Sequence, residues 1–284
     1  MLNIKYIKDT KFEYNEHIVE GLQSYNRSQS EYRKKDHRDF YVFDDQVLVG
    51  ACHTKLYADW CDIYGLYYQD IDVLKAIVND IKKYYKDQVV GISFDSILEQ
   101  RVLDFIEIGF KVEGKLQDMP IGNEKVFLKN KKLDILEVDQ AYQVKSSRES
   151  NLNYAKTWKE EIHKFRESLD FSTEKIDLQY VVLDGFKFVG GIYGHVQYEY
   201  LFINMLFVNK NYRGNRIASK LMHLIESEAM SRNIVNVYVT TFEFQALEFY
   251  QKHGFKVVMT IEDFPKGFKE YTLYKKMKKT IVQK

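Results

Sequence analysis

The chain has 284 residues, 45% of them apolar, with Lys+Arg 42 set against Asp+Glu 41. That length holds one large domain or two ordinary ones, each with its own core, and so even a charge balance excludes a face-wide basic surface for nucleic acid. Two cysteines, Cys52 and Cys61, without metal-ligand spacing exclude a disulfide framework and point to a reducing, cytoplasmic compartment.

The opening residues, MLNIKYIKDTKF, carry no long apolar run, so neither a secretory signal nor a membrane span is expected. A strand is predicted over 2–7, then a polar segment to Asp39 with apolar Ile18, Val19 and Leu22. A hairpin follows at 40–55, and further strand to Tyr68. Helix 71–85 places Val73, Ile77, Ile81 and Tyr84 on one face. A strand at 89–94, a helix at 97–107 and strands at 110–116 and 125–129 close the first half.

The second half reads alike: a strand at 141–145, helix across 153–169, a hairpin at 179–196 and an apolar strand at 201–208. Helix 216–232, strand 234–240, helix 243–253 and strands 255–261 and 269–276 complete it. The unit 201–240 is strand–helix–strand, which demands a parallel, right-handed crossover. The expected fold class is α/β, a mixed sheet flanked by helices.

The two halves repeat. FYVFDDQVLVG from Phe40 lies over YVVLDGFKFVG from Tyr180, pairing Val42/Val182, Asp44/Asp184, Val49/Val189 and Gly50/Gly190. Further on, 109–112 (GFKV) falls on 254–257 (GFKV), and 118–122 (DMPIG) on 263–267 (DFPKG). The only two prolines, Pro120 and Pro265, thus hold equivalent places. The expected domains are 1–132 and 138–284, joined by a charged stretch without a Gly/Pro-rich spacer. The offset grows by a few residues where the second copy carries Arg213-Gly214-Asn215-Arg216. This basic turn between strand and helix offers amides and a helix dipole to an anion, phosphate above all. The first copy runs instead into Asp70-Ile71-Asp72, whose carboxylates satisfy the helix start and repel phosphate.

The stretch 201–218 resembles the acetyl-CoA-binding motif of the GNAT family of N-acetyltransferases, written Arg/Gln-x-x-Gly-x-Gly/Ala. Arg213 and Ala218 match its ends, and Arg216 stands at its middle glycine. Residues 242–255 carry a second resemblance in Ala246, Phe249-Tyr250 and Gly254-Phe255, with Glu243 where Asn is common. The order of elements resembles the GNAT acyl-CoA N-acyltransferase fold in each copy, hence a tandem form with a degenerate first copy.

The resemblance implies acetyl-CoA as cofactor. Pantetheine would lie along the backbone of Leu206 and Val208, and pyrophosphate on Arg213, Gly214, Asn215, Arg216, Ile217 and Ala218. It implies Tyr250 as general acid to the leaving thiolate; the first copy has Phe105 there. Many members carry an acidic base on the central strand, where this chain has Asn204. Glu199 and His195 are the nearby candidates to accept the amine proton. His53, Lys55, Asp59, Trp60 and Asp62 sit in the first copy's matching strand pair, where the alternation of acids with Trp60, Tyr57 and Tyr64 would suit a cationic amine or a solvated hairpin. The expected activity is N-acetylation of a small-molecule primary amine by a monomer or homodimer, with no nucleic acid, membrane or metal. The alternatives are a non-catalytic acyl-CoA-binding regulator and a two-domain aminoacyl or acyl transferase.

Overall fold

A computed structural model describes residues 3–30, 36–57, 60–96, 98–117, 124–131, 134–148, 152–167 and 174–278. They form two compact units. One comprises Met1–Glu31, Ser172–Thr260 and Phe268–Lys284; the other comprises Tyr32–Phe171 and Ile261–Gly267.

The sheet of the first unit is built from β1 (Ile4–Lys8), β9 (Ile176–Asp184), β10 (Lys187–Gln197), β11 (Tyr200–Val208), β12 (Asn236–Phe242), β14 (Lys269–Lys276) and β13 (Lys256–Glu262), in that spatial order. The second sheet runs β8 (Gln143–Ser147), β2 (His37–Asp44), β3 (Val47–Tyr57), β4 (Trp60–Tyr68), β5 (Gly91–Ser96), β7 (Glu124–Asn130), β6 (Lys111–Gln117). The orders correspond strand for strand. In each, the third and fourth strands are antiparallel, and the fourth and fifth are parallel across a helical crossover. That crossover is α5 (Ile217–Ser231) in the first unit and α2 (Ile71–Tyr85) in the second. Both sheets are mixed and flanked by helices, as the element order predicts.

One exchange departs from the contiguous halves 1–132 and 138–284. β1 pairs with β9, and α1 (Asn15–Gln29) lies on β10 and β11, so the chain's opening elements sit in the unit of its later strands. Conversely β8 pairs with β2, and α4 (Leu152–Glu167) lies on β3 and β4. The stretch before Asp39, read as polar segment, contains the helix α1. Asp9 secures its start by accepting from the Glu13 and Tyr14 amides at 3.2 and 3.0 Å and from Gln179 Nε2 at 2.7 Å.

Alternation along the strands divides the first sheet's faces. Ile192, Val196, Leu201 and Ile203 join Ile217, Leu221 and Ile225 of α5 in one buried cluster. Gly191 and Phe207 face α1 instead. A Cβ on Gly191 would meet Ile18 at 2.6 Å, and one on Gly21 of α1 would meet the Phe207 ring at the same distance, so α1 lies close on β11. The second unit has its own core, with Val73, Leu74, Ile77 and Ile81 of α2 against Phe40, Val42 and Ile63. Tyr85 is the fully buried tyrosine there, and Tyr84 only flanks the cluster. No helix among the described residues is long and apolar enough to cross a membrane.

Candidate active site

β11 and β12 are paired only from Tyr200–Asn236 to Ile203–Val239. Beyond that, β12 continues against β14 to Phe242 and β11 continues against β10 to Val208, so the two strands part. A bulge marks the parting: Met205 opposes Tyr193 and Ile203 opposes Gly194, leaving Asn204 extra. Just past the strand, the Asn209 amide donates to Val189 O at 2.8 Å. Because hydrogen-bonding direction alternates along an antiparallel strand, Leu206 and Val208 turn their backbone groups away from β10, toward the open side. The result is a half-strand of donors and acceptors with no strand beside it among the described residues. The expectation for Leu206 and Val208 falls on that edge, although Val208 O already accepts from Arg213 Nε at 3.1 Å.

The link from β11 to α5 first makes a short 3-10 turn, Lys210–Tyr212, anchored by Tyr212 Oη donating to Asp184 at 3.1 Å. Gly214 then takes φ 83°. Arg216, the N-cap of α5, takes φ 56° and ψ 18°, a left-handed conformation. This accounts for glycine at the family's middle position: the turn needs positive φ, which costs a residue with a Cβ about 1–2 kcal/mol. Asn215 holds the turn from within, donating from Nδ2 to Tyr212 O at 3.0 Å. The amides of the first turn of α5, including Ile217 and Ala218, have no helical acceptor and sit at the positive end of its dipole. Replacing Arg216 separates conformation from charge. Arg216→Gly is expected to be about 1 kcal/mol more stable than Arg216→Ala in urea unfolding, since both lose the cation and only one loses the strain.

α6 (Leu247–Lys252) is shorter than the predicted helix because 242–246 is a turn built around Gln245. Gln245 Oε1 accepts from the Phe242 amide at 2.9 Å, and Nε2 donates to Asn26 of α1 at 2.7 Å. Tyr25 adds a hydrogen bond from its hydroxyl to Phe244 O at 2.7 Å, with the Arg213 guanidinium 5.7 Å from its ring centre. Glu243 is committed to structure: its amide donates to Lys269 O at 2.8 Å and its carboxylate accepts from the Lys269 amide at 3.2 Å. Tyr250 is 6% exposed and edge-on to Phe249 and Phe255. Burial drives its phenol well above the ordinary value, so it stays protonated as a donor must. His253 joins α6 to α5, with Nδ1 2.7 Å from Phe249 O and Nε2 3.0 Å from Ser219 Oγ.

The two candidate bases separate. Glu199 occupies the tip of the β10–β11 hairpin, where it and Tyr198 both have positive φ. Five residues of strand put it about 17 Å along β11 from Asn204, so it is not brought to the site. His195 is. Its Nδ1 lies 2.7 Å from Asn204 Oδ1 at the bulge, and Phe202 stacks on its ring at 4.9 Å. Burial lowers its pKa, leaving the ring neutral at neutral pH. Tyr25, Gln245 and His253 escaped the sequence reading, since their partners lie far along the chain or on another helix.

In the second unit β4 parts from β5 in the same way, after Ile63–Phe94, but the helix start beyond it is already occupied. The β4–α2 link is only residues 69–70, and Asp70 caps α2 by accepting from the Val73 amide at 2.9 Å, as its sequence predicts. Tyr68, at the end of β4, donates to Asp104 of α3 (Glu99–Glu107) at 2.5 Å. Phe105 is fully buried, stacked on Phe94 at 4.0 Å and edge-on to Phe110 as Tyr250 is to Phe255. Beside the β3–β4 bulge, Trp158 of α4 donates to Gly65 O at 2.6 Å. Trp158→Ala is expected to cost about 3–5 kcal/mol of stability, read by urea unfolding, through the cavity it leaves.

The aromatic and acidic residues weighed for a cationic amine are engaged otherwise. Trp60 is fully buried, with the Lys129 ammonium 4.0 Å from its ring centre and its Nε1 donating to Asp263 O. Asp62 is hydrogen-bonded by Ser93 and pushed by burial to about 7, and His53 pairs with Asp39. This corrects the amine-cage expectation for Trp60 and Asp62, whose surroundings are structural. Asp59 and the segment 118–122 with Pro120 lie outside the described residues. Among those described, no three His, Cys, Asp or Glu converge as a metal site.

A parted parallel pair with a bulge, opening onto a basic turn with free helix-start amides, is an arrangement suited to an extended, anionic ligand. Residues 140–255 match the model of the acetyltransferase (GNAT) family. The chain is 33% identical over 92 residues to blasticidin-S acetyltransferase of Streptomyces morookaense, covering 32% of this chain and 68% of that protein. It is 31% identical over 96 residues to acetyltransferase Atu2258 of Agrobacterium fabrum, covering 34% of this chain and 70% of the relative. A crystal structure of an acetyltransferase from Bacillus cereus, 26% identical, matches 45% of this chain and 95% of its own at TM-score 0.42. The chain belongs to the GNAT family and is an N-acetyltransferase.

Proposed function

We propose that this enzyme moves an acetyl group from acetyl-CoA to the primary amine of a small molecule by direct attack, with all chemistry in the unit that contains β11. The carrying observation is the contrast between the units: the parallel pair parts in both, but only one central strand leads into a basic left-handed turn with free helix-start amides, while the other runs in two residues to a helix capped by its own Asp70. The chain is then a tandem duplication whose first copy has lost the cofactor loop. We place it in the cytoplasm, as a monomer or homodimer.

The residues present fit the cofactor. The outward backbone of Leu206 and Val208 would hold its extended arm, and the amides from Arg213 through Gly214, Asn215, Arg216 and Ile217 to Ala218 would hold its phosphates. Two arginines add charge-assisted hydrogen bonds there. Acetyl-CoA supplies an acyl group already activated as a thioester. His195 Nε2 accepts the proton of the incoming amine, and the Tyr250 hydroxyl donates one toward the sulfur side. Asn204 itself has no basic atom for the first task.

The related blasticidin-S enzyme makes blasticidin S a first acceptor to test, among a broad panel of small amines. Thiol released from acetyl-CoA is the readout, and at least one amine is expected to give steady turnover. Tight acetyl-CoA binding by calorimetry with no thiol release across the panel would favour a non-catalytic acyl-CoA sensor instead.

A further inference from the structure

Asn204 stands where an acidic residue is common in the family, and its place in the fold gives it a different task. The bulge leaves it without a partner of its own on β10, between the Tyr193–Met205 and Gly194–Ile203 pairs. Its side chain turns back along the sheet to His195, which is itself paired with Phe202. The His195 ring is thus fixed twice. Phe202 stacks on it with planes 12° apart, and Asn204 Oδ1 takes the hydrogen bond from Nδ1 at 2.7 Å.

We propose that Asn204 is a positioning residue that holds the proton of neutral His195 on Nδ1 and leaves the Nε2 lone pair for the acceptor amine. The inference rests on the acetyltransferase reading of this site. An amide oxygen can accept only a proton already on Nδ1, so it selects that tautomer. Nε2 makes no hydrogen bond among the described residues, so its lone pair is not spent. A carboxylate at position 204 would select the same tautomer but also stabilise the imidazolium, and the base would be charged over more of the neutral range. The amide orients without charging.

The other charged groups around the ring are few. From β9, Asp177 lies opposite His195 and favours the imidazolium, while Lys175 just before that strand opposes it. β11 presents Phe202 and Asn204, and no charged side chain of α1 touches the ring among the described residues. Burial is the largest influence and favours the neutral form.

Nitrogen-15 NMR of the labelled full-length protein tests this directly. His195 is assigned by the signal lost in His195→Gln. In the resting protein at pH 8, Nδ1 is expected to be protonated and Nε2 bare, and Asn204→Ala should move the proton toward Nε2. In turnover, Asn204→Ala should lower kcat about tenfold or more with the KM for acetyl-CoA within about twofold. Asn204→Asp should keep the tautomer and move the acid limb of kcat/KM up by about one pH unit. A protonated Nε2 in the resting protein, or an acid limb unmoved in Asn204→Asp, overturns the proposal. So does an equal loss of kcat and acetyl-CoA affinity in Asn204→Ala, which marks a purely structural bulge. If no amine is acetylated yet the tautomer is as stated, the transfer reading fails and the Asn204–His195 pairing stands.

Discussion

Tyr250→Phe is expected to lower kcat about a hundredfold while leaving the KM for acetyl-CoA nearly unchanged. The substitution deletes one oxygen from a side chain that is otherwise held by the Phe249 and Phe255 rings, so packing is preserved. In the proposed mechanism the leaving thiolate would lose its proton donor, and only the chemical step should register the change. Steady-state kinetics with calorimetric binding of acetyl-CoA checks it, and parallel losses in kcat and binding would identify Tyr250 as a packing residue. Phe105 shows that the fold accepts phenylalanine at the matching place, buried and ring-stacked. Burial keeps the Tyr250 phenol protonated well beyond neutral pH, so this residue should contribute no fall in rate on the alkaline side below pH 10.

His195→Gln should cost about a hundredfold in kcat/KM at neutral pH and abolish the acid limb of the profile. The sign follows from the direction of the shift. Burial depresses the His195 pKa below its ordinary 6.5, and the proposed role as proton acceptor requires the deprotonated form. Activity is therefore expected to hold from pH 8 down past neutrality and to fall only below 6.5 in the wild-type enzyme. A pH–rate profile with an acid midpoint at or above 7, or one that survives His195→Gln, would assign the proton to another acceptor. Glu199 is a poor substitute, being held at the hairpin tip on the far side of the paired stretch of β11.

Much of this arrangement was legible in the chain because it depends on local chemistry. The half-buried hairpins, the apolar run of β11 and the acidic start of α2 follow from side-chain periodicity and capping, which act over a few residues. The Asp70 cap and the basic turn at 213–216 were readable for that reason. What Arg216 does there was not, because a one-letter code does not show φ. Glu243 likewise looked like an altered cofactor contact, and its tie to Lys269 became visible only once β12 and β14 were set side by side.

The sequence by itself determined two repeated α/β patterns and a single basic turn between strand and helix, since spacing, turn chemistry and charge are properties of contiguous residues. The tertiary structure decided which opening strand joins which sheet. β1 and β8 are short edge strands whose backbones could pair equally well with either neighbour, and periodicity cannot choose between them. The choice lies in close-fitting contacts between distant residues: Gly21 under the Phe207 ring for α1, and Trp158 against Gly65 for α4. The same long-range fit brings Asn26 to Gln245, and the β11 bulge brings Asn204 to His195.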